Sequence, residues 1–188
     1  MKTRNLFRLS LFLMTGLIIS TSLGLSQDDY KPTRQEKKEA KKIQLMTNYA
    51  ILDTILTRRV FVLEADYLRN KYGNQTAVMS NINFIRVDQT TGVLQTGSVF
   101  SFGSNGVGGV TAEGEIGQWT IYRNPRNLSY TVRFSLQTNI GHYDVVMNVS
   151  ANTRATATIT GLGPGNLIWD GHLVPIGNSR VFKGMNTI

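Results

Sequence analysis

The sequence predicts a mainly β protein: an antiparallel meander of eight or nine strands, forming a barrel or a strongly curved sheet, preceded by one N-terminal helix. Three observations predict it. After Arg58 the hydrophobic period changes from 3.6 residues to 2. Beyond that point turn signals recur about every eight to twelve residues, the spacing of short antiparallel strands. The alternation is also two-sided. In "SYTVRFSLQT", Tyr130, Val132, Phe134 and Leu136 share one face, and Thr131, Arg133, Ser135 and Gln137 share the other.

The elements follow in order. Residues 1–26 open with Lys2, Arg4 and Arg8, continue as an apolar run from Leu9 to Leu23, and end in the small residues Ser22, Gly24 and Ser26. That is the layout of a secretory signal peptide, with cleavage expected near Ser26. The apolar run is shorter than the ~20 residues a membrane-spanning helix needs, and Ser10, Thr15, Gly16 and Ser20 interrupt it. A periplasmic or secreted location is the expectation. Residues 27–42 form a polar, charged segment running into the helix, which is expected over "PTRQEKKEAKKIQLMTNYAILDTIL", Pro32 to Leu56. Pro32 suits a first turn, and Thr33 with Glu36 matches a capping box. Ala40, Ile43, Met46 and Ala50 fall at helical spacing, as do Leu52, Ile55 and Leu56. The polar early half is expected to project, and the stretch from Ile43 to Leu56 to cover part of the sheet.

Residues 43–188 make a single β-rich domain. "RRVFVLEADY" reads as its first strand. "NINFIRVD" and "GVLQTGSVF" read as a hairpin across "QTTG", with Asp88 and Gly92 supplying turn chemistry. "GVTAEGEI" and "QWTIYRN" read as the next pair. "LSYTVRFSLQT", "HYDVVMNVSA", "TRATATIT" and "NLIWDGHLVP" complete the set. Along them Tyr143, Val145, Met147 and Val149 face one way, and Thr156, Thr158 and Thr160 oppose Ala155, Ala157 and Ile159.

Composition excludes several classes of function. The chain has no cysteine, so stability in an oxidising compartment must come from burial and hydrogen bonding. Its net charge of +8 is concentrated early: residues 1–42 carry nine cations and four acids, and residues 43–188 eleven against eight. A nucleic-acid binder needs its basic stripe on the folded domain, so nucleic acid is not an expected partner. Peripheral contact of the Lys37–Lys42 cluster with an anionic membrane is the most its charge suggests.

Several of these segments together resemble the domain-of-unknown-function 4251 family, small exported proteins of Gram-negative bacteria. The matching stretches are "RRVFVLEADY", "NFIRVDQTTGVLQTG", "GVGGVTAEGEI", "YTVRFSLQTNIGHYDVVMNVSANTRATATI" and "IWDGHL". The resemblance implies an export signal, a short helix and a mostly β domain. It implies no activity and no catalytic residue. The chain departs from the family in one place: similar proteins place several aromatics and prolines ahead of the glycine pair, where this one reads "VFSFGSNGVGG" and keeps Phe100 and Phe102.

No arrangement in the sequence assembles a known chemistry. The run "FGSNGVGGVTAEGEI" offers Gly106 and Gly108 as G-x-G, but the third position is Thr111, no lysine follows, and the next residues alternate as a strand carrying Glu113 and Glu115. A sharp connection between strands is the expectation, not a phosphate site. "HYD" and "DGH" place His142 with Asp144 and Asp170 with His172 on strand faces. Counting register across the turns separates the two histidines by roughly 19 Å, too far to share a metal. Glu113 and Glu115 lie on one strand face, whereas glycosidase carboxylates flank the substrate. There is no G-x-S-x-G elbow and no cysteine nucleophile. No cofactor is implied.

The aromatics remain. If the barrel keeps a cavity, Trp119, Tyr122 and Trp169 are the candidate ligand-binding residues, with Phe100 and Phe102 at the mouth. The sequence thus favours a non-enzymatic binding module for an apolar small ligand or lipid, or for an envelope protein along a strand edge. An envelope hydrolase using His142, Asp144 or the glutamates, and a structural subunit of a complex, are the alternatives.

Overall fold

A computed structural model describes residues 31–98, 103, 105–161 and 165–187. The signal segment at 1–26, Phe100 and Phe102 lie outside them. Residues 31–33 carry no regular secondary structure, and everything described below belongs to the unit that begins at Arg34.

Helix α1 spans Arg34–Arg58, two residues later at each end than the sequence suggested. Its first eleven residues are all exposed, and packing begins only in its second half. Leu52 and Leu56 are fully buried, Ile55 packs beside them, and the Tyr49 ring stacks on Tyr130 with centroids 4.6 Å apart. Ile43, Met46 and Ile51 stay exposed, so the helix covers the sheet with a narrower stripe than its apolar spacing implied.

Among the described residues nine strands follow: β1 (Val60–Arg69), β2 (Gln75–Ala77), β3 (Phe84–Asp88), β4 (Thr91–Gln95), β5 (Thr111–Asn124), β6 (Ser129–Thr138), β7 (Gly141–Ser150), β8 (Arg154–Thr160) and β9 (Asn166–Val174). All pairings are antiparallel. Eight strands run in the order β1-β3-β4-β5-β6-β7-β8-β9, and β9 pairs back onto β1, from Val62↔Val174 to Arg69↔Ile168, which closes the barrel. β2 is the extra strand. β3 pairs with the first half of β1, up to Glu64↔Phe84, and β2 with the second half, from Tyr67↔Ala77 to Arg69↔Gln75.

The alternation read from the sequence sets the inner face. Tyr130, Val132, Phe134 and Leu136 of β6, Tyr143, Val145, Met147 and Val149 of β7, and Ala155, Ala157 and Ile159 of β8 are buried in one cluster with Phe61, Leu63, Leu94 and Trp169. Each large side chain buried this way contributes about 1.5–3 kcal/mol before entropy is counted. The threonines of β8 face outward.

Four local expectations are corrected. Asp88 opens the β3–β4 turn but Gly92 takes no part in it: Gln89 adopts the left-handed conformation (φ 58°) there, and Gly92 lies inside β4. A Cβ on Gly92 would meet Ile116 Cδ1 at 2.6 Å, so glycine serves packing rather than turning. "GVTAEGEI" and "QWTIYRN" are one bent strand, β5, not two. Its register against β6 shifts between Gly117 and Thr120, with Gln118 at φ 45°, the signature of a bulge. β4 ends at Gln95, so Thr96, Gly97 and Ser98 do not extend it, and Val99 and Phe100 lie outside the described residues. β2 was not foreseen, because three residues carry too little alternation to register.

A second apolar layer lies outside the barrel. Val62, Phe84 and Val93 point away from the interior and are covered by Val174, Ile176 and Val181. These last belong to the end of β9 and to a strap, residues 175–187, that crosses the outer face of β1, β3, β4 and β5.

Candidate functional site

Of the described residues proposed to contact a ligand, two face inward. Trp169 is completely buried in the barrel core. Trp119 sits at the bulge of β5, its ring 5.2 Å from Phe134 and 6.1 Å from Phe61, with the Arg59 guanidinium 5.1 Å from the ring centroid. Neither indole N–H has a hydrogen-bond partner among the described residues. Tyr122 does not join them. It is 57% exposed on the outer face, where the Arg133 guanidinium lies 5.8 Å from its ring. Strand alternation explains the difference, because Trp119 and Ile121 share the inner side and Tyr122 falls on the other.

The groups with catalytic potential are dispersed. His142 Nδ1 is 2.8 Å from Gln137 Oε1, and its Nε2 is 3.3 Å from Asp144. "DGH" does not form the pair its spacing suggested: His172 Nδ1 lies 2.9 Å from Asp66 on β1. Asp170 instead takes a bidentate ion pair from Arg69, at 2.8 and 3.1 Å, and a 2.7 Å bond from the Thr156 hydroxyl. Among the described residues no three His, Asp or Glu side chains are grouped to hold a metal. Glu113 holds Lys183 and Asn186 of the strap, and those two bonds keep its carboxyl below the usual carboxylate range.

The glycine run closes on itself rather than on a ligand. The Asn105 side-chain amide, fully buried, donates to Thr96 O at 3.1 Å and Thr111 Oγ1 at 3.0 Å. Its oxygen accepts from the Val107 and Gly109 N–H groups at 3.1 and 2.9 Å. A Cβ on Gly109 would lie 2.2 Å from Thr96 O, so glycine there permits backbone contact. Asn105 thus takes the Val107 and Gly109 amides, while that of Gly106 donates to Gly103 O and that of Val110 to Thr96 Oγ1.

Unpartnered backbone groups lie elsewhere, at the outer edge of β2. The bonds Val78 N–H to Asp66 O (2.9 Å) and Asn70 N–H to Asn74 O (3.1 Å) fix which residues of this segment face β1. In an antiparallel ladder those are the even-numbered ones, so Gln75 and Ala77 turn their N–H and C=O groups away from the barrel. Among the described residues nothing bonds them there. Beside this edge, where β2 breaks off before β3, lies an open, mainly apolar groove of about 460 Å³ lined by Ala77, Val78, Met79, Ile82 and Gly97. Met79 is 50% exposed and Tyr67 43%. The break is built by Asn83, whose buried amide donates to Met79 O (3.0 Å) and Gly97 O (3.1 Å) and accepts from Gly97 N–H (3.0 Å). A Cβ on Gly97 would press on Ile82 at 2.9 Å. Sequence reasoning passed over this site because it is made by an interruption, not by a motif. The signal present was "NQTAVM", an uncharged run with exposed apolar residues.

The family described as "Domain of unknown function (DUF4251)" matches residues 28–173. No curated protein matches the chain. Among solved structures, the crystal structure of a DUF4251 family protein from Bacteroides eggerthii is similar, with 27% identity and a TM-score of 0.60 over 72% of this chain and 93% of that one. With the family model spanning the helix and nearly all of the barrel, the chain belongs to the DUF4251 family.

Proposed function

We propose that this is an exported, non-enzymatic protein of the cell envelope that acts by binding a protein partner on its outer surface. The observation that carries this reading is the filling of the barrel. Trp169, Phe61, Tyr130, Leu136, Met147 and Ile159 are each at most 1% exposed and occupy the space that a lipocalin-like ligand would need. A core so filled supports the partner version over the internal-lipid version. The engagement of His142, His172, Glu113 and Asp170 in separate local pairs supports binding over hydrolysis. Native mass spectrometry of the chain purified from its own host tests the reading. The expected spectrum contains the mature chain, beginning near Gln27, with no stoichiometric lipid. A lipid adduct that survives gentle desalting would return the interior to the role of binding site.

A further inference from the structure

The open edge of β2 and the groove beside it together specify a kind of partner. We propose that β2 is a docking strand, which takes an extended segment of a partner protein by strand addition and seats one apolar side chain of that segment in the groove. The proposal rests on the partner-binding reading above and locates it.

Backbone chemistry selects the occupant. Gln75 and Ala77 present a row of N–H donors and C=O acceptors at strand spacing, and another extended backbone matches that row residue for residue. A lipid tail would satisfy the groove and leave the row unpaired. Barrel closure removes strand edges, and proteins that keep one usually guard it with lysine, proline or inward charge. Apart from its shortness this edge has no such guard: "NQTAVM", residues 74–79, contains no charge and no proline, and all of β2 is exposed. Charge around the edge narrows the partner further. Between Tyr67 and Asn83 the chain carries Arg69 and Lys71 and no acid, and Arg69 is already held by Asp170. The segment that fits alternates and carries no cation, with a large apolar residue for the groove and one acidic residue toward Lys71.

The probe is a blocked synthetic peptide of alternating threonine and apolar residues, with a central phenylalanine and a leading glutamate. Its twin is N-methylated at the amides that would face β2. Added to isotopically labelled mature chain, the first peptide is expected to shift the Gln75 and Ala77 backbone amides and the Met79 methyl saturably. The N-methylated twin should bind about tenfold more weakly or worse, for the loss of one or two hydrogen bonds. Ala77→Pro removes only an outward N–H, a position where a strand edge tolerates proline, so it should weaken the first peptide about tenfold while the unfolding midpoint holds. If that variant unfolds, the comparison of the two peptides on the native chain decides alone. Absence of shifts at millimolar peptide, equal binding of the twin, or shifts centred away from β2 would overturn the proposal. So would a concentration-dependent doubling of mass that protects the Gln75 and Ala77 amides, since the occupant would then be a second copy. A partner crosslinked in the host equally by native chain and Ala77→Pro would leave the partner reading standing and remove this docking mode.

Discussion

Two segments cover the barrel without belonging to it, and they are held by opposite means. The second half of α1 docks through apolar side chains: Leu52 and Leu56 vanish into the core, and Tyr49 stacks on Tyr130. Its polar links are few, namely Tyr130 Oη donating to Tyr49 O at 2.9 Å and Arg123 reaching Asp53 and Thr57 at 2.7 and 3.0 Å. The strap is held mainly by hydrogen bonds to the buried Gln95 side chain and to the buried backbone of Asn105 and Thr111. Gln95 donates to Phe182 O (2.9 Å) and accepts from Gly184 N–H (2.8 Å), while Met185 N–H donates to Asn105 O (2.9 Å). Thr111 and Thr187 exchange two more bonds, at 2.9 and 3.1 Å. Phe182 and Met185 are meanwhile exposed. A helix satisfies its own backbone and needs only a greasy stripe to dock. Beyond its short 3-10 turn at Ile176–Asn178 the strap has no regular structure, so its backbone must be satisfied by the surface it crosses, where Gln95, Asn105 and Thr111 are buried.

This contrast predicts different failures. The largest loss is expected on the helix side. Leu56→Ala removes a fully buried side chain and should cost about 2–5 kcal/mol in urea unfolding, while Ile43→Ala, on the exposed half of the same helix, should cost almost nothing. If the two variants behave alike, the helix does not dock as described. On the strap side, Asn105→Ala strands the Val107 and Gly109 N–H groups and should cost about 2–3 kcal/mol. Its distinguishing sign is faster hydrogen exchange at Met185 and Thr187, with protection in β6 and β7 reduced no more than the global loss requires. Tyr130→Phe is expected to cost about 1 kcal/mol, for one hydrogen bond and no packing. Burial, then contact with Tyr49, pushes the Tyr130 phenol up. The fold favours its neutral form, so that contribution is whole below the ordinary tyrosine pKa and fades as pH rises through the raised one.

The same contrast explains what was legible. Alternation in β6, β7 and β8 announced the inner face because a strand with one solvated side must sort its residues, and Tyr130 to Leu136 obey that residue by residue. The docked half of α1 was legible through Leu52, Ile55 and Leu56. The strap was not, because what holds it are bonds between positions nearly ninety residues apart, such as Gln95 to Phe182, with no periodicity to betray them. Val62, Phe84 and Val93 broke the two-sided rule for the same reason: their outward faces are apolar only because the strap covers them. Tyr122 was misjudged through treating every aromatic as a lining residue, although its parity opposed that of Trp119. At the candidate site the sequence supplied the possibility of an exposed edge without its location. That location depends on how far β3 runs along β1 before Asn83 breaks the pairing.

The smallest expected effect isolates the charged end of the strap. Glu113 binds Lys183 and Asn186, and these contacts hold its carboxyl below the ordinary range. A carboxylate depressed by folding stabilises the fold fully above its unfolded pKa of about 4.3, and that contribution is lost as pH falls from there through the folded value. Acid should therefore loosen residues 183–187 before the barrel opens, visible as exchange at the Thr187 amide rising while β6 and β7 amides stay protected. Both partners are more than a third exposed, so the gain is screened and worth a few tenths of a kcal/mol, about 0.5 at most. Glu113→Gln should remove this acid step and leave the Gln95 and Asn105 bonds in place, because neither contacts the carboxylate. If Glu113→Gln instead released the whole strap at neutral pH, the ion pair rather than the buried amides would be holding it, and the division between a greasy helix and a hydrogen-bonded strap would have to be redrawn.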